Sequence, residues 1–286
     1  MTSYYPNIIL NLGLYPKHLG ENFLKIYKAV VKQRLEAKKQ KNKVVSDSLK
    51  IVVNGSFGKF GSKYSILYSP DLMLAVTLTG QLSLLMLIEK LEKVGIEIVS
   101  ANTDGFVSLM DKRKYKLYNS VCFDWELETG FKLEETYYKG LYSRDVNNYL
   151  AIKENGFKGK GIFARSELEK NPEMEISNQA VVNYLAFNTP LEKTIRECKD
   201  IRKFIQVRSV TGGAFWRNKY LGKVVRWIYS TNGFPITYKK NGNKVPNSNG
   251  SRPIMELEKF PKDIDFFKYE EKAKDILEDL GIKQYF

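Results

Sequence analysis

The stretch Ala101-Asn102-Thr103-Asp104-Gly105 lies between two short apolar runs, the whole extending from Ile96 to Met110. Asn, Asp and Gly tolerate the backbone angles of a tight turn, so the two β-rich runs read as a hairpin with Asp104 at its tip. Taken alone, a carboxylate in that place is no more than a turn residue. The chain in front of it gives the position a context.

Between Glu21 and about Gln40, Phe23, Leu24, Tyr27, Val30, Val31 and Leu35 recur at helical spacing. Arg34 and Lys38 are four residues apart and project from one face of that helix. A break follows from Asn42 to Ser48, and the spacing predicts a second helix starting near Ser46 or Asp47. On it, Lys50, Asn54, Phe57 and Gly58 fall on a single stripe. An antiparallel pair of these helices would let Arg34, Lys38 and Lys50 converge on one anion, with Asn54 and an aromatic ring beside them. The competing reading is a solvated charged face, with Phe57 in the core. After the glycine-rich segment Gly55 to Gly61, Ser69 and Pro70 form a cap and first position, and Gly95 a stop, for a long amphipathic helix from Asp71 to Val94. That helix delivers the chain into the Asp104 hairpin.

Composition narrows the chemistry. The 286 residues carry 46 Lys and Arg against 32 Asp and Glu, a formal charge of +14, with 18 Tyr and 16 Phe among the charges. This balance suits a polyanionic partner, although a basic but otherwise ordinary protein has the same totals. Cys122 and Cys198 have no paired spacing and His18 is the single histidine, so zinc ribbons, disulfide scaffolds and Cys-His or Ser-His catalysis lack support. Any metal would be a hard cation held by carboxylates and phosphates, which points to magnesium. No apolar run approaches membrane-spanning length and the start lacks a signal-peptide layout, so the expectation is a cytoplasmic protein with no membrane partner.

Downstream, Lys153, Lys158 and Lys160 flank the turn Glu154-Asn155-Gly156 as a basic ribbon suited to duplex phosphates, or equally as a solvated hairpin edge. Ser177 to Phe187 and Pro190 to Phe204 read as two amphipathic helices joined at Asn188-Thr189-Pro190. Trp216 and Trp227 read as core, Lys239 to Arg252 as a mobile loop, and Tyr269 to Leu280 as a last helix charged on one face.

Several of these pieces, in order, resemble the family B DNA polymerases, most of all those of bacterial viruses. The matching segments are Ser3-Tyr4-Tyr5-Pro6-Asn7-Ile8-Ile9, Arg34 with Lys38, Lys50 to Gly58, and Asn102-Thr103-Asp104-Gly105. Their spacings fit a palm strand, a finger helix pair and a palm hairpin over about the first 165 residues. The resemblance implies an α+β right hand with a palm β-sheet, helical-hairpin fingers and a mainly helical thumb, and no exonuclease domain. Residues 1–12 would be the remainder of palm motif A, 13–58 fingers, 59–165 palm with the motif C hairpin and primer grip, and 166–286 thumb. It implies transfer of a nucleotide to a primer 3′-hydroxyl with two Mg2+ ions, Mn2+ being a substitute, with primer-template DNA and dNTPs as partners. Asp104 would be the catalytic metal ligand of motif C. Arg34, Lys38 and Lys50 would neutralise the triphosphate, and the amides of Ser3 and Tyr4 would add donors. Tyr5 would pack under the sugar as a gate against a 2′-hydroxyl, and Asn54 and Phe57 would line the nascent base pair. Gly58 and Thr103 would face DNA, and Tyr149 would hold the primer end, with Asn147 where the family has a lysine.

Two departures accompany the resemblance. Asn102 replaces the first carboxylate of motif C. The motif A aspartate would fall one position ahead of Met1, so the metal pair would be underheld and this chain alone is expected to show little polymerase activity. One explanation is a split polymerase, with an upstream polypeptide carrying that aspartate and the exonuclease; the two would associate through the palm, and the first residues here would pair as a strand beside the hairpin. The other is a misassigned start or a truncated gene, leaving an incomplete enzyme or a noncatalytic DNA-binding relic.

Overall fold

The computed structural model describes residues 1, 3–164 and 172–283, in two compact units, Met1–Thr136 and Tyr137–Phe286. The first unit contains helices α1 (Tyr4–Asn11), α2 (Asn22–Lys39), α3 (Lys43–Lys59) and α4 (Pro70–Lys93). The hairpin strands β1 (Glu97–Ala101) and β2 (Phe106–Leu109) and helix α5 (Tyr115–Thr129) complete it.

The segment expected to be a strand beside the hairpin is helical from Tyr4. Pro6 sits in the first turn, where its missing N–H has no intrahelical acceptor to lose, so the helix accommodates it. Helix α3 also begins earlier than expected, at Lys43. The Asn42 side chain accepts the Val45 N–H at 3.2 Å, an N-cap that the neighbouring valines had disguised as a break. Helix α4 starts at Pro70 after Ser69 and is followed by Gly95 at φ 74, within a residue of the expected span.

The buried face of α4, Val76, Gly80, Leu84, Leu87 and Leu91, is the floor of the unit. Tyr4 donates its hydroxyl to the Gly80 carbonyl at 2.7 Å and Trp125 its indole N–H to the Ser83 carbonyl at 2.9 Å, fastening α1 and α5 to it. Ile8, Ile9, Val53, Phe60 and Trp125 close the core. The opposite face exposes Leu74, Leu78, Leu82 and Leu85. This corrects the reading that no apolar run is long enough to span a membrane: by length and composition α4 is. Its apolar residues serve two surfaces at once, and the inner one is packed and hydrogen-bonded as in a helix of a protein core.

The second unit contains β3 (Gly140–Asp145), β4 (Asn148–Lys153), β5 (Gly156–Lys160), α6 (Glu175–Phe187) and α7 (Leu191–Glu197). After these come β6 (Gln206–Trp216), β7 (Lys219–Phe234), β8 (Ile236–Tyr238), β9 (Ser251–Pro253) and α8 (Phe266–Asp279). Strands β3-β4-β5 make one antiparallel sheet and β8-β6-β7-β9 another. The expectation that the region after 165 is mainly helical is therefore corrected. Its second sheet escaped notice because Gly212, Gly213 and Gly222, all at positive φ, interrupt the two-residue alternation, and the β6–β7 register shifts there. The helix expected over Pro190 to Phe204 stops at Glu197, where Cys198 turns extended, and a short 3-10 turn covers Ile201–Phe204. The expected boundary between 165 and 166 lies outside the described residues.

The Lys239 to Arg252 loop, expected to be mobile, is anchored. Val245 and Ser248 are buried, and the Ser248 hydroxyl accepts from the Ile236 N–H at 3.1 Å and donates to the Val245 carbonyl at 2.7 Å. On the buried side of α8, Tyr269 is fully buried, donating to the Phe204 carbonyl and accepting the Tyr229 N–H, each at 2.8 Å. Burial pushes its phenol far above the ordinary value, so it stays a neutral double partner. Tyr269→Phe strands one buried donor and one buried acceptor; we expect a loss of about 1–3 kcal/mol in urea unfolding at unchanged slope. A loss below about 0.5 kcal/mol would show that these groups find other partners.

Candidate nucleotide site

The start of α1 is the junction of the first unit. The Met1 ammonium donates to the Asp104 backbone carbonyl at 2.8 Å, placing the N-terminal residue against the hairpin tip. The tip itself is a four-residue loop closed by the Asn102 N–H to the Gly105 carbonyl at 2.9 Å. The Asn102 side chain accepts the Asp104 N–H at 3.2 Å, so the residue in place of a second acid works as the turn's internal brace.

Two residues further on, the Ser3 hydroxyl accepts from Arg34 Nη1 at 2.9 Å, joining α2 to the same corner. Tyr5 stacks on Phe57 of α3, ring centroids 4.4 Å apart and planes 23° from parallel. The Tyr5 phenol is pushed up, first by burial and then by the Asp104 charge, while a hydrogen bond with the Thr103 side chain opposes the shift. Ser3, Tyr5, Arg34, Phe57, Thr103 and Asp104 are thus linked through the first turn of one helix. The first N–H groups of α1, around Tyr4, are of the kind that have no intrahelical acceptor and favour anions. Arg34 Nε is buried without a hydrogen-bond partner, so this cation has donor capacity in reserve.

Other residues named from sequence stand differently. Tyr4 turns into the core, its phenol raised to about 12 chiefly by burial; only its backbone can face an anion. Lys38 follows Arg34 by one turn of α2, and Lys50, Asn54 and Gly58 lie along α3 with Phe57; all four are exposed. Among the described residues Lys38 and Lys50 make no ion pair, and no hydrogen bond joins either to Asp104. An apolar groove of about 360 Å³ between α2 and α3 is lined by Phe23, Ile26, Tyr27, Val30 and Val53, and includes none of the site residues.

The donor set is too small for a pair of metal ions. Asp104 is exposed and its neighbour in the turn is an amide; among the described residues no three His, Cys, Asp or Glu side chains group to hold a cation. Sequence reasoning did not find the Gly80 seat or the contact of Tyr5 with Thr103. A lone glycine inside the α4 pattern was the available signal for the first; nothing local marks the second.

In the second unit, Tyr149 pairs with Lys160, Ala151 with Lys158 and Lys153 with Gly156. Side chains alternate along strands, so Tyr149, Lys153, Lys158 and Lys160 share one face of the sheet, while Leu150, Ile152 and Phe157 pack the other face onto the core. Lys160 Nζ lies 6.0 Å from the Tyr149 ring centroid.

In fold the chain resembles a family B DNA polymerase. Such an enzyme from the archaeon Pyrobaculum calidifontis superposes with a TM-score of 0.59 over 99% of this chain and 44% of its own, at 14% identity. In sequence the chain is homologous to archaeal proteins named DNA polymerase 1. It is 25% identical to that of Saccharolobus solfataricus over 192 residues, 64% of this chain and 21% of the relative. With the Aeropyrum pernix protein it shares 32% identity over 136 residues, 43% of this chain and 14% of that one. The chain therefore spans about a fifth or less of the length of these relatives. No family model matches it.

The Tyr5–Phe57 stack is testable by itself. A double-mutant cycle with Tyr5→Leu and Phe57→Leu should give a coupling of about 0.5–1.5 kcal/mol in unfolding free energy. Additive losses would mean the rings are neighbours without interaction.

Proposed function

We propose that this chain is the nucleotide- and primer-handling part of a DNA-directed DNA polymerase. The observation that carries the reading is Tyr5, which stacks on Phe57 of the helical pair while standing over Thr103 and Asp104 of the hairpin. One ring tied to both elements is what a floor beneath an incoming sugar requires. On this reading 13–58 form fingers, the hairpin is the palm's motif C, and the region after 165 acts as a thumb.

Each residue then has a task its surroundings support. Arg34, held by Ser3, presents a fixed cation, and Lys38 and Lys50 add flexible ones on exposed helix faces. A triphosphate carries about four negative charges, which several cations and the first amides of α1 offset as it approaches Asp104. Tyr5 excludes a 2′-hydroxyl by occupying its volume, and Phe57 and Asn54 border the base. Tyr149 with Lys153, Lys158 and Lys160 forms a face that grips the primer duplex through its phosphates. Asp104 would be this chain's one ligand to magnesium, or to manganese in its place, and that ion would supply charge neutralisation to the transfer when further ligands complete its site. On this reading a second carboxylate would be supplied by a partner polypeptide, which the test below adds. The small donor set at Asp104 also suits a second reading, a DNA-binding subunit without chemistry.

Primer extension with magnesium separates the two. We expect no extension by the chain alone, and extension when the motif A aspartate is restored on an added upstream polypeptide. In that complex Asp104→Ala should lower the rate by at least about a hundredfold, Lys50→Ala should lower it as well, and Tyr5→Ala should raise ribonucleotide use. Unchanged extension in Asp104→Ala would remove the catalytic assignment. Intact DNA binding with no extension under any complementation would favour the noncatalytic subunit.

A further inference from the structure

Between Gln206 and Met255 the chain has nine Lys and Arg and not one Asp or Glu. Those residues build the four-stranded sheet β8-β6-β7-β9 and its loops. In a chain where acids make up 32 of 286 residues, a run of fifty without one sets aside a surface of a single sign. Two of the nine are engaged, Arg252 with Asp263 and Arg208 with the Pro246 carbonyl. At the end of the sheet, Arg217 and Lys239 are engaged with rings instead.

At the β6–β7 turn, Arg217 adopts φ 52 and lays its guanidinium 3.9 Å from the Phe234 ring centroid and 4.9 Å from that of Trp216. One strand pair away, Lys239 stands 5.3 Å from the Tyr220 ring. Phe234 and Tyr220 are nearly half exposed, at 45% and 48%, and Arg217, Lys219 and Lys239 are exposed beside them. None of these three cations has a carboxylate partner among the described residues. The ensemble is an exposed hairpin end where aromatic rings and cations without carboxylate partners stand side by side.

We propose that this end of the sheet binds single-stranded nucleic acid, its cations following the phosphates and its rings and the Arg217 plane stacking on unpaired bases. A duplex would use the same charges but leave the exposed rings idle, because its bases are already stacked on each other. The charge complementarity selects a polyanion, and the exposed aromatics select one whose bases are free. This surface is separate from the face that carries Tyr149, and the proposal holds whether or not the chain performs nucleotidyl transfer.

Fluorescence anisotropy with a labelled oligothymidine and with a blunt duplex of the same length tests it on the whole chain. Arg217→Asn keeps a residue suited to the left-handed turn, so the hairpin is retained while the guanidinium is removed. Combined with Phe234→Ala, it should weaken oligothymidine binding by about fivefold or more and change duplex binding by less than about twofold. Lys239→Glu, on an exposed position, should weaken single-strand binding and reduce the slope of log affinity against log salt by about 0.7 for each phosphate that is no longer neutralised. Near-ultraviolet circular dichroism identical to the parent verifies that each variant is folded. Unchanged oligothymidine affinity in folded variants, or equal losses on both ligands, would overturn the proposal.

Discussion

The close approach of α1 to α4 at Gly80 is the constraint on which the first unit rests. A Cβ there would lie 3.4 Å from both Ile8 and Tyr4, at the near edge of ordinary contact, so α1 packs against α4 with little space to spare. The Tyr4 hydroxyl on the Gly80 carbonyl fixes the rotation of α1 as well as its distance. Once Tyr4 points inward, helical geometry sends Ser3 and Tyr5 to other sides, one toward Arg34 and the other toward Phe57 and the hairpin. The alternation Ser-Tyr-Tyr is thus a short device for gathering three separate elements, with the buried tyrosine as its anchor.

The charges gathered at this corner are weighted toward the positive. Arg34 is part-buried with a free Nε, and the helix start adds partial positive charge. Against this stands Asp104, exposed and braced by an amide where a second acid would be. A carboxylate open to water attracts a divalent ion weakly, because water screens the attraction and completes the coordination sphere unaided. On the proposed reading the corner would offer its cation and helix-start amides to phosphates, with Asp104 as a single exposed carboxylate beside them.

How much of this was legible depended on whether the signal was local. The Asn-Thr-Asp-Gly turn, the Ser69-Pro70 start and the Gly95 stop are decided by neighbours in sequence, and all three stand where expected. The stripe Lys50, Asn54, Phe57 followed from helical spacing and kept its side even though the helix starts earlier. The first segment was misjudged because a proline near a chain start fits both a strand edge and a first helical turn. Packing on Gly80 arbitrates between these, and packing is not written in the segment itself.

The second unit shows the same limit from the other direction. Its long strands carry glycines at positive φ and register shifts, so the hydrophobic period that would have announced a sheet is broken at each bulge. What survived interruption was charge, since a missing carboxylate is missing in any register. The acid-free run from Gln206 to Met255 marks one continuous structural element more faithfully than its hydrophobicity does. Strand periodicity reports which face is buried and fails where the backbone bends; charge sign reports which ligand a surface can meet, and a bend leaves it untouched. For a basic chain of this kind, the distribution of acids is therefore the more robust guide to where function lies, even where the fold itself goes unread.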